Sequence, residues 1–564
     1  MRQAIAACTQ GADVNPAETS DLWWRTAVIY CLDIQTFFDS DGDGIGDIAG
    51  LTQRVDYLAE IGVTCIWLMP FQPTRDADDG YDITDFYGVD PRLGDLGEFV
   101  ELLRVAHDRG IRVITDLVVN HTSDKHPWFR SARRSRTSKY RDYYIWRAER
   151  PRGSRHTMFP GEEDSPWEHD AKSGQYYLHS FYRHQPDLNL ANPEVRDEIA
   201  RIIGFWMALG VDGFRVDAVP FLIEPPGAPD EADPHSFLRE LHRFATRRRG
   251  GSALLGEVAL QHDAQLDYFG AKGTELDLQF DFATTAATFL SFVRHDARPL
   301  ADILRSRPIV DARQGWSIFL RNHDELTLEF LDEDEREDVF AALAPDERQR
   351  VYGRGIVRRL APMLRGDPRR VRLAYSLLFS LPGAPMLFYG EEIGMGELPA
   401  LGDRVAVRTP MQWDDTKNGG FSTARPSKLP RPIPSDGYGP AHTNVRDQLR
   451  DPDSLLAAIR VFISKYRANP EIAWGELTVL ETGEPGVLAH ASSGETAVFV
   501  AVHNFGAEAC TIELSLPECS ADGELVDLLG DEPAVQPDGG SVRLELDGYA
   551  YRWFRLADSG TGTL

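Results

Sequence analysis

The stretch Gly213-Phe-Arg-Val-Asp-Ala218 is one of eight short apolar runs that decide the fold. Amphipathic segments with helical periodicity separate these runs, and such alternation predicts repeated βα units that build a parallel sheet. The eight runs are residues 27–33, 65–69, 112–119, 213–218, 253–258, 276–282, 316–321 and 385–389. Because eight parallel strands close naturally on themselves, the sequence predicts an α/β fold, a (β/α)8 TIM barrel.

Two further units are predicted outside the barrel. Residues 121–187, between the third and fourth runs, are too many for an ordinary βα loop, so we expect a small inserted domain. After about Ile472 the pattern changes to alternating strands such as Ser541-Val-Arg-Leu-Glu-Leu546, which predicts a C-terminal antiparallel β-sandwich domain over 472–564. The barrel then occupies 23–120 and 188–471, behind an N-terminal tail of residues 1–22.

The charge of the chain argues against polyanionic partners. The 88 Asp and Glu residues exceed the 60 Lys and Arg residues and give a formal net charge of −28, which repels nucleic acid and anionic lipid. No apolar run approaches a membrane span, and the apolar part of MRQAIAACTQ is shorter than a signal peptide needs. Five scattered cysteines without CxxC spacing suit reduced thiols. We therefore expect a cytoplasmic protein with a small-molecule substrate; the sequence leaves a homo-oligomer open.

Polar side chains end several of the predicted strands, where active sites of such barrels lie. The third, fourth, fifth and seventh runs end in Asp116-Leu-Val-Val-Asn120-His121, Arg215-Val-Asp217, Gly256-Glu257 and Arg321-Asn-His323-Asp324. A single Asp at a strand end is more often a cap or turn residue, but the joint occurrence predicts an active site at one rim. Two carboxylates about 5–5.5 Å apart are what retaining glycoside chemistry needs, and neighbouring strands can present them.

Four short motifs, DLVVNH, GFRVDAV, GEV and RNHD, occur in this order. Together they resemble the α-amylase family of glycoside hydrolases, family 13. The resemblance implies that Asp217 is the nucleophile of a covalent glucosyl-enzyme, that Glu257 is the general acid/base, and that Asp324 binds sugar hydroxyls and helps to stabilise the transition state.

Other residues of the predicted site surround these carboxylates. Arg215 lies two residues before Asp217 on the same strand face and can keep that carboxylate ionised, although a salt bridge in solvent is the plainer interpretation. Glu257 must begin the cycle protonated, which requires a raised pKa. By the resemblance, His121 and His323 bind hydroxyls of the sugar, whereas either alone could be a packed structural histidine.

The resemblance also implies a pocket closed at one end. In relatives that act on terminal glucose, the residues at the positions of Asp78 and Arg408 form an ion pair that closes the pocket. The residue at the position of Tyr81 stacks on the sugar ring. Phe181 resembles the aromatic residue that completes the wall, although a core phenylalanine is nearly as good an interpretation.

The loop Asp39-Ser-Asp41-Gly-Asp43-Gly-Ile45-Gly-Asp47 places carboxylates at nearly every second residue around glycines. This pattern suits oxygen ligands wrapped around Ca²⁺, and the loop resembles a calcium-binding loop. A plain Asp/Gly turn is the alternative, and no EF-hand helix precedes the loop.

A second calcium site is implied by similarity to trehalose synthases of this family. There Asn120, Asp187, Glu224 and the carbonyls of Phe221 and Leu222 would tie the inserted domain to the barrel. Both ions would be structural, and no organic cofactor is expected.

The resemblance covers roughly residues 22–470, and within the family it is strongest to the trehalose synthases, which isomerise maltose and trehalose. Such an isomerase must retain released glucose, and the segment 330–365 could supply the lid. One departure is Gly256-Glu257-Val258-Ala259, where trehalose synthases usually have Ala-Glu-Ala-Asn. An α-glucosidase or transglucosylase acting on maltose, trehalose or sucrose therefore stays an alternative. A non-catalytic carbohydrate-binding protein on the same fold is disfavoured because all three carboxylates are present.

Overall fold

Eight parallel strands form a closed barrel, as the sequence predicts. The computed structural model describes residues 22–151, 158–159, 162–223, 233–495, 497–517, 524–530, 534–537 and 540–557. The barrel strands β1 to β8 are Ile29–Leu32, Cys65–Leu68, Arg112–Leu117, Gly213–Val216, Ala253–Gly256, Leu278–Phe280, Gly315–Phe319 and Ala384–Phe388. Each strand pairs in parallel with the next, and β8 closes the barrel against β1.

These strands are buried on both faces, which explains why they read as continuous apolar runs rather than as an alternating pattern. The helices that surround or follow them are Ile48–Ile61, Leu96–Asp108, Pro193–Leu209, Val219–Ile223, Ser236–Arg248, His262–Phe269, Phe282–Arg294, Arg298–Ser306, Glu333–Leu343, Leu360–Met363, Pro368–Ser380 and Leu455–Ala468. The helix after β1 shows why the sequence folds this way locally. Asp47 caps its N-terminus, and Gly62 ends it at a φ of 96°, where a glycine is favoured.

The segment between β3 and β4 forms the inserted unit. It contains the helix Pro127–Ala132 and a three-stranded antiparallel sheet. The order of the strands in that sheet is Trp146–Arg147, Gln175–Leu178 and Trp167–Asp170. A bridge between His121 and Asp187 joins the two ends of the segment, and a bridge between Tyr144 and Leu188 ties its middle to the residue that follows it. The insertion therefore begins and ends next to the C-terminal end of β3.

The C-terminal unit consists of two antiparallel sheets around a shared core. The five-stranded sheet has the order Glu476–Leu480, Val487–Ser493, Ala497–Asn504, Tyr551–Ala557 and Glu524–Asp527, and the two-stranded sheet pairs Cys510–Ser515 with Ser541–Leu546. Alternate residues such as Val500, Leu514 and Val542 pack between the sheets. Trp553 attaches this unit to the barrel, since its ring lies 5.4 Å from Phe462.

Within the described part of the chain, no helix has both the length and the apolar character needed to cross a membrane. Cys31 and Cys65 are free thiols buried in β1 and β2, and Cys510 is free and partly exposed. Cys8 and Cys519 lie outside the described residues.

Candidate active site

The structure brings the three predicted catalytic carboxylates to one end of the barrel. Asp217 follows β4, Glu257 follows β5, and Asp324 lies just beyond β7. Arg215, inside β4, connects the first two. Its guanidinium lies 2.7 Å from an oxygen of Asp217 and 2.7 Å from an oxygen of Glu257. One cation therefore contacts two carboxylates of neighbouring strands.

A further buried carboxylate, Asp116 on β3, completes the surroundings of Arg215. Their atoms approach to 2.6 Å, and Asp116 also accepts hydrogen bonds from the Trp67 indole and the Tyr81 hydroxyl, each at 3.1 Å. Asp116 was not predicted as a site residue. The available signal was its place in the DLVVNH motif, on the strand next to Arg215. Because the Arg215 side chain is 2% exposed, it needs such counter-charges to remain in the barrel.

Burial dominates the ionisation of the two central carboxylates. It raises the pKa of Asp217 to about 7 although Arg215 acts in the opposite direction. It also raises the pKa of Glu257 to about 7, and the neighbouring charge of Asp217 adds to this effect. The raised pKa expected for Glu257 is therefore present. Asp217 differs from the expectation, because its contact with Arg215 does not compensate for the loss of water.

The pKa of Asp324 is shifted in the opposite direction. Burial would raise its pKa, but nearby cationic groups outweigh that effect and hold the pKa well below the usual range of an aspartic acid. Its Oδ1 accepts hydrogen bonds from Arg404 at 3.0 Å and from Arg408 at 2.9 Å, and its Oδ2 lies 3.1 Å from His323 Nε2. Asp324 is therefore an ionised acceptor at neutral pH.

The prediction of an ion pair between Asp78 and Arg408 is wrong, because each of the two residues pairs with another partner. Arg408 pairs with Asp79 at 2.7 Å, whereas Asp78 pairs with Arg404 at 2.9 Å. The reason is the anchoring of Arg408, whose Nε donates to the carbonyl of His323 at 2.7 Å and so aims the guanidinium at Asp79 and Asp324. Two ion pairs are thus present where one was expected.

Two residues here, Arg404 and Arg431, were not predicted from the sequence as site residues. Arg404 contacts both Asp78 and Asp324, and Arg431 contacts Asp79. Position alone could have pointed to Arg404, which lies four residues before Arg408 in the same loop. Nothing in the sequence near Arg431 indicates its contact, because the two partners are far apart in the chain.

The remaining predicted sugar-binding residues lie in the same region. The ring of Tyr81 is parallel to that of His323 with centroids 5.6 Å apart, and its hydroxyl lies 2.6 Å from His323 Nε2. His121 Nε2 lies 3.1 Å from the carbonyl oxygen of Tyr81, and burial lowers the pKa of His121 to about 4. A neutral His121 can donate from Nε2 to that carbonyl. Phe181 packs 5.3 Å from His121 and 5.1 Å from Phe221.

The first predicted calcium loop has a suitable geometry. Asp39, Asp41 and Asp43 each offer an oxygen, and these atoms all lie within 4.8 Å of one another. Asp39 is buried and accepts the backbone N–H groups of Gly42 and Gly44 at 2.7 and 2.9 Å. In the ranges that the structure describes, none of the three acids forms an ion pair. Three convergent carboxylates without a cationic partner fit a hard cation such as Ca²⁺.

The end of this loop has another structural role. Asp47 accepts the N–H of Gly50 at 2.6 Å as the N-cap of the following helix, and it binds the Ser40 hydroxyl at 2.8 Å. The N–H of Ile45 donates to Asp43 at 2.8 Å. Asp47 and Ile45 are thus close in the chain to the three acids, but the carboxylate of Asp47 is already engaged with protein donors.

The second predicted calcium group is partly assembled. Asp187 is buried, accepts both the N–H and the hydroxyl of Ser180 at 2.9 and 2.5 Å, and lies 3.3 Å from the Asn120 amide. Burial raises the pKa of Asp187 to about 7. A buried carboxylate with only neutral partners among the described residues fits a nearby cation. Phe221 and Leu222 lie in the short helix Val219–Ile223, and Glu224 lies outside the described residues.

Comparison with known proteins agrees with this geometry. The family "Alpha amylase, catalytic domain" matches residues 32–342 and 357–475, and "Sucrose hydrolase-like, C-terminal domain" matches residues 496–555. The chain is 40% identical to the trehalose synthase/amylase of Mycobacterium tuberculosis over 96% of this chain and 91% of the relative. It is 38% identical to the trehalose synthase of Pimelobacter over 96% of both chains.

A solved structure gives the same result at the level of the fold. The trehalulose synthase MutB from Pseudomonas mesoacidophila superposes with a TM-score of 0.74 at 27% identity, covering 95% of this chain and 99% of the other. The barrel, the inserted unit and the motif residues are therefore all accounted for by one known family. The chain belongs to the α-amylase family of glycoside hydrolases and is an enzyme that acts on glycosidic bonds.

Proposed function

We propose that this enzyme is a retaining α-glucosyltransferase that isomerises maltose and trehalose, as the name trehalose synthase describes for its relatives. The observation that carries the proposal is the position of Arg215 against both Asp217 and Glu257, together with the two ion pairs that Asp78 and Asp79 form with Arg404 and Arg408. The first feature supports a double displacement. The second supports a pocket that binds one terminal glucose and admits no longer chain.

In the first step, a carboxylate oxygen of Asp217 attacks the anomeric carbon of the donor glucose. The bond between that carbon and the glycosidic oxygen breaks, and Glu257 gives its proton to the departing oxygen. The products are a covalent β-glucosyl-enzyme and free glucose. A pKa of about 7 leaves Glu257 able to hold this proton near neutral pH.

In the second step, the released glucose turns and its anomeric hydroxyl attacks the glucosyl-enzyme. The bond to Asp217 breaks, and the ionised Glu257 takes the proton of the attacking hydroxyl. Two inversions at the same carbon give retention, so the α configuration of maltose is kept in trehalose. Attack by water in place of glucose would give hydrolysis.

The surrounding residues bind the sugar in this proposal. Asp324, as an ionised acceptor, binds two hydroxyls and favours the positively charged transition state. His121 and His323 bind hydroxyls as neutral groups, because burial lowers the pKa of both. Tyr81 and Phe181 provide the aromatic wall. Asp78 and Arg408 act at the closed end, each through the ion pair that the structure gives it.

Released glucose must remain in the pocket until it reacts. The segment 330–365, predicted as a lid, contains the helix Glu333–Leu343 and the paired strands Arg350–Val351 and Gly355–Ile356. Tyr352, at the tip of this hairpin, lies 3.2 Å from the hydroxyl of Tyr182 in the inserted unit. This contact supports a role of the segment in covering the pocket.

Calcium would have a structural role. Asp39, Asp41 and Asp43, with Asp47 and the carbonyl of Ile45, would hold one ion, and Asn120, Asp187, Glu224 and the carbonyls of Phe221 and Leu222 a second. The chemistry needs no metal and no organic cofactor. The cytoplasmic location, the possible homo-oligomer and the absence of nucleic-acid and membrane partners stay predictions.

The decisive experiment is to incubate the purified protein separately with maltose, trehalose and sucrose and to follow the anomeric proton signals by NMR. We expect trehalose from maltose and maltose from trehalose, with little free glucose. Glucose alone, released first as the α-anomer, would instead establish a retaining α-glucosidase. Release of the β-anomer first would contradict the double displacement and the role of Asp217.

A further inference from the structure

Arg404 joins two loops at the C-terminal end of the barrel. One of its nitrogen atoms lies 2.9 Å from Asp78, in the loop after β2, and another lies 3.0 Å from Asp324, in the loop after β7. The side chain is 11% exposed, so both contacts are shielded from water. In the sequence it lies outside the four motifs that indicate the family.

The neighbours of Arg404 bring two more loops to the same point. Its guanidinium lies over the ring of Phe159 in the inserted unit, at 5.1 Å. The preceding residue, Asp403, accepts a hydrogen bond of 3.0 Å from the Tyr352 hydroxyl, at the tip of the hairpin after β7. Asp403 and Tyr352 have positive φ values of 48° and 54°, conformations that L residues rarely adopt. Such strained residues persist only where the surrounding contacts hold them in place.

Each catalytic carboxylate, and Asp78 with them, has at least one contact that does not involve Arg404. Asp324 keeps Arg408 at 2.9 Å, and Asp78 keeps the Gln185 amide at 2.9 Å. Asp217 and Glu257 are held by Arg215. Loss of Arg404 should therefore loosen the wall of the pocket while the groups that perform the chemistry stay in place.

We infer that Arg404 is a specificity-determining residue that sets how the glucosyl-enzyme divides between transfer to retained glucose and hydrolysis. The inference rests on the proposed function. In both outcomes the bond between the anomeric carbon and Asp217 breaks and Glu257 accepts one proton. The two outcomes differ only in the attacking oxygen, from glucose or from water. A clamp across four loops excludes water and keeps glucose in the pocket, and so favours transfer.

The test compares Arg404→Gln with the matched control Arg298→Gln. Arg298 lies outside the proposed lid, is 70% exposed and pairs with Asp296. With maltose as substrate, we measure the ratio of trehalose to free glucose by NMR, together with kcat and KM. We expect the ratio to fall by about fivefold in Arg404→Gln, which corresponds to a change of about 1 kcal/mol in relative barrier height. The ratio should stay at the wild-type value in the control.

A second variant, Tyr352→Phe, keeps the ring and removes only the hydroxyl, which contacts Asp403 and Tyr182. It should lower the ratio in the same direction and by less, with a thermal midpoint close to that of the wild type. Trehalose formation by the wild type with an unchanged ratio in both variants would overturn this inference and leave the proposed function standing. Absence of trehalose in the wild type would overturn both.

Discussion

Arg215 lies 2.7 Å from Glu257, the same distance that separates it from Asp217. The proposed acid/base and the proposed nucleophile thus share one buried cation. This arrangement couples their ionisation, because a proton gained by one carboxylate changes the field at the other. Burial, which outweighs the effect of Arg215 on the pKa of each, is the reason that neither carboxylate ionises as freely as an exposed acid.

The first prediction concerns pH. The reaction needs Asp217 ionised and Glu257 protonated, and burial raises the pKa of each to about 7. As the pH falls below 7, Asp217 gains a proton and stops acting as a nucleophile. As the pH rises above 7, Glu257 loses its proton and stops acting as an acid. We expect kcat/KM to follow a bell centred near neutral pH. A profile without an alkaline decline would contradict the role of Glu257.

The second prediction separates the two carboxylates chemically. With α-glucosyl fluoride, whose leaving group needs no proton, Glu257→Gln should form the glucosyl-enzyme and decompose it slowly, because no base activates the acceptor. With maltose the same variant should lose about 10²–10⁴-fold in kcat. Mass spectrometry of proteolytic peptides should find the adduct on Asp217. Asp217→Asn should form no adduct while retaining its circular dichroism, and an adduct on another residue would sink the assignment.

A third prediction follows from the two ion pairs at the closed end. Asp79 accepts from Arg408 and Arg431, so Asp79→Asn removes the carboxylate that these two buried cations share and leaves Arg408 with Asp324 and Arg431 with Asp33. Because each cation keeps one carboxylate, we expect a cost of up to about 3 kcal/mol in the free energy of unfolding, the lower end of the range for a broken buried pair. Asp78→Asn should cost less stability and mainly raise KM for maltose. Denaturant unfolding and initial rates on both variants provide the measurement, and the reverse order of the two stabilities would refute the pairing.

The fourth prediction concerns the junction between the barrel and the C-terminal unit. His490 is buried there beside His503, with parallel rings 6.0 Å apart, and burial lowers the pKa of His490 to about 3. Unfolding lets His490 take up a proton below its unperturbed pKa near 6.5, so the stabilisation present at pH 7 is lost as the pH falls toward 3.

Between pH 7 and pH 5 this residue alone should account for about 2 kcal/mol of the loss in unfolding free energy. The difference in unfolding free energy between pH 7 and pH 5 should be smaller by that amount in His490→Gln, as measured by denaturant unfolding at each pH. His169, on a strand of the inserted unit and exposed, offers a matched control. His169→Gln should leave the difference unchanged, and equal effects of the two variants would contradict the prediction.

The fifth prediction concerns the acidic loop. If Asp39, Asp41 and Asp43 bind Ca²⁺, the ion stabilises the folded state by mass action, by about 2.7 kcal/mol at a hundredfold excess over its Kd. Chelator should lower the thermal midpoint, and added Ca²⁺ should restore it. Asp43→Asn should shift the Ca²⁺ dependence to higher concentration. A midpoint that does not respond to either reagent would show that the loop is an Asp/Gly turn.

The sequence by itself determined the eight strands and the residues that end them. Gly213–Val216 is apolar except for Arg215 and is flanked by helical segments, and that local pattern requires no knowledge of the rest of the chain. The positions of Asp217, Glu257 and Asp324 at one rim follow from the same regularity, because the ends of parallel strands meet.

Only the tertiary structure decided which charges meet. Asp78 and Asp79 are adjacent in the chain, and no local pattern tells which of them faces Arg408 and which faces Arg404. The outcome depends on the anchoring of Arg408 at the carbonyl of His323, 85 residues away in the chain. A shift of about an ångström decides whether two charged groups form an ion pair, and the conformations of the loops that carry them depend on packing against distant segments. For this reason the sequence predicted the catalytic groups, and the fold determined the clamp that surrounds them.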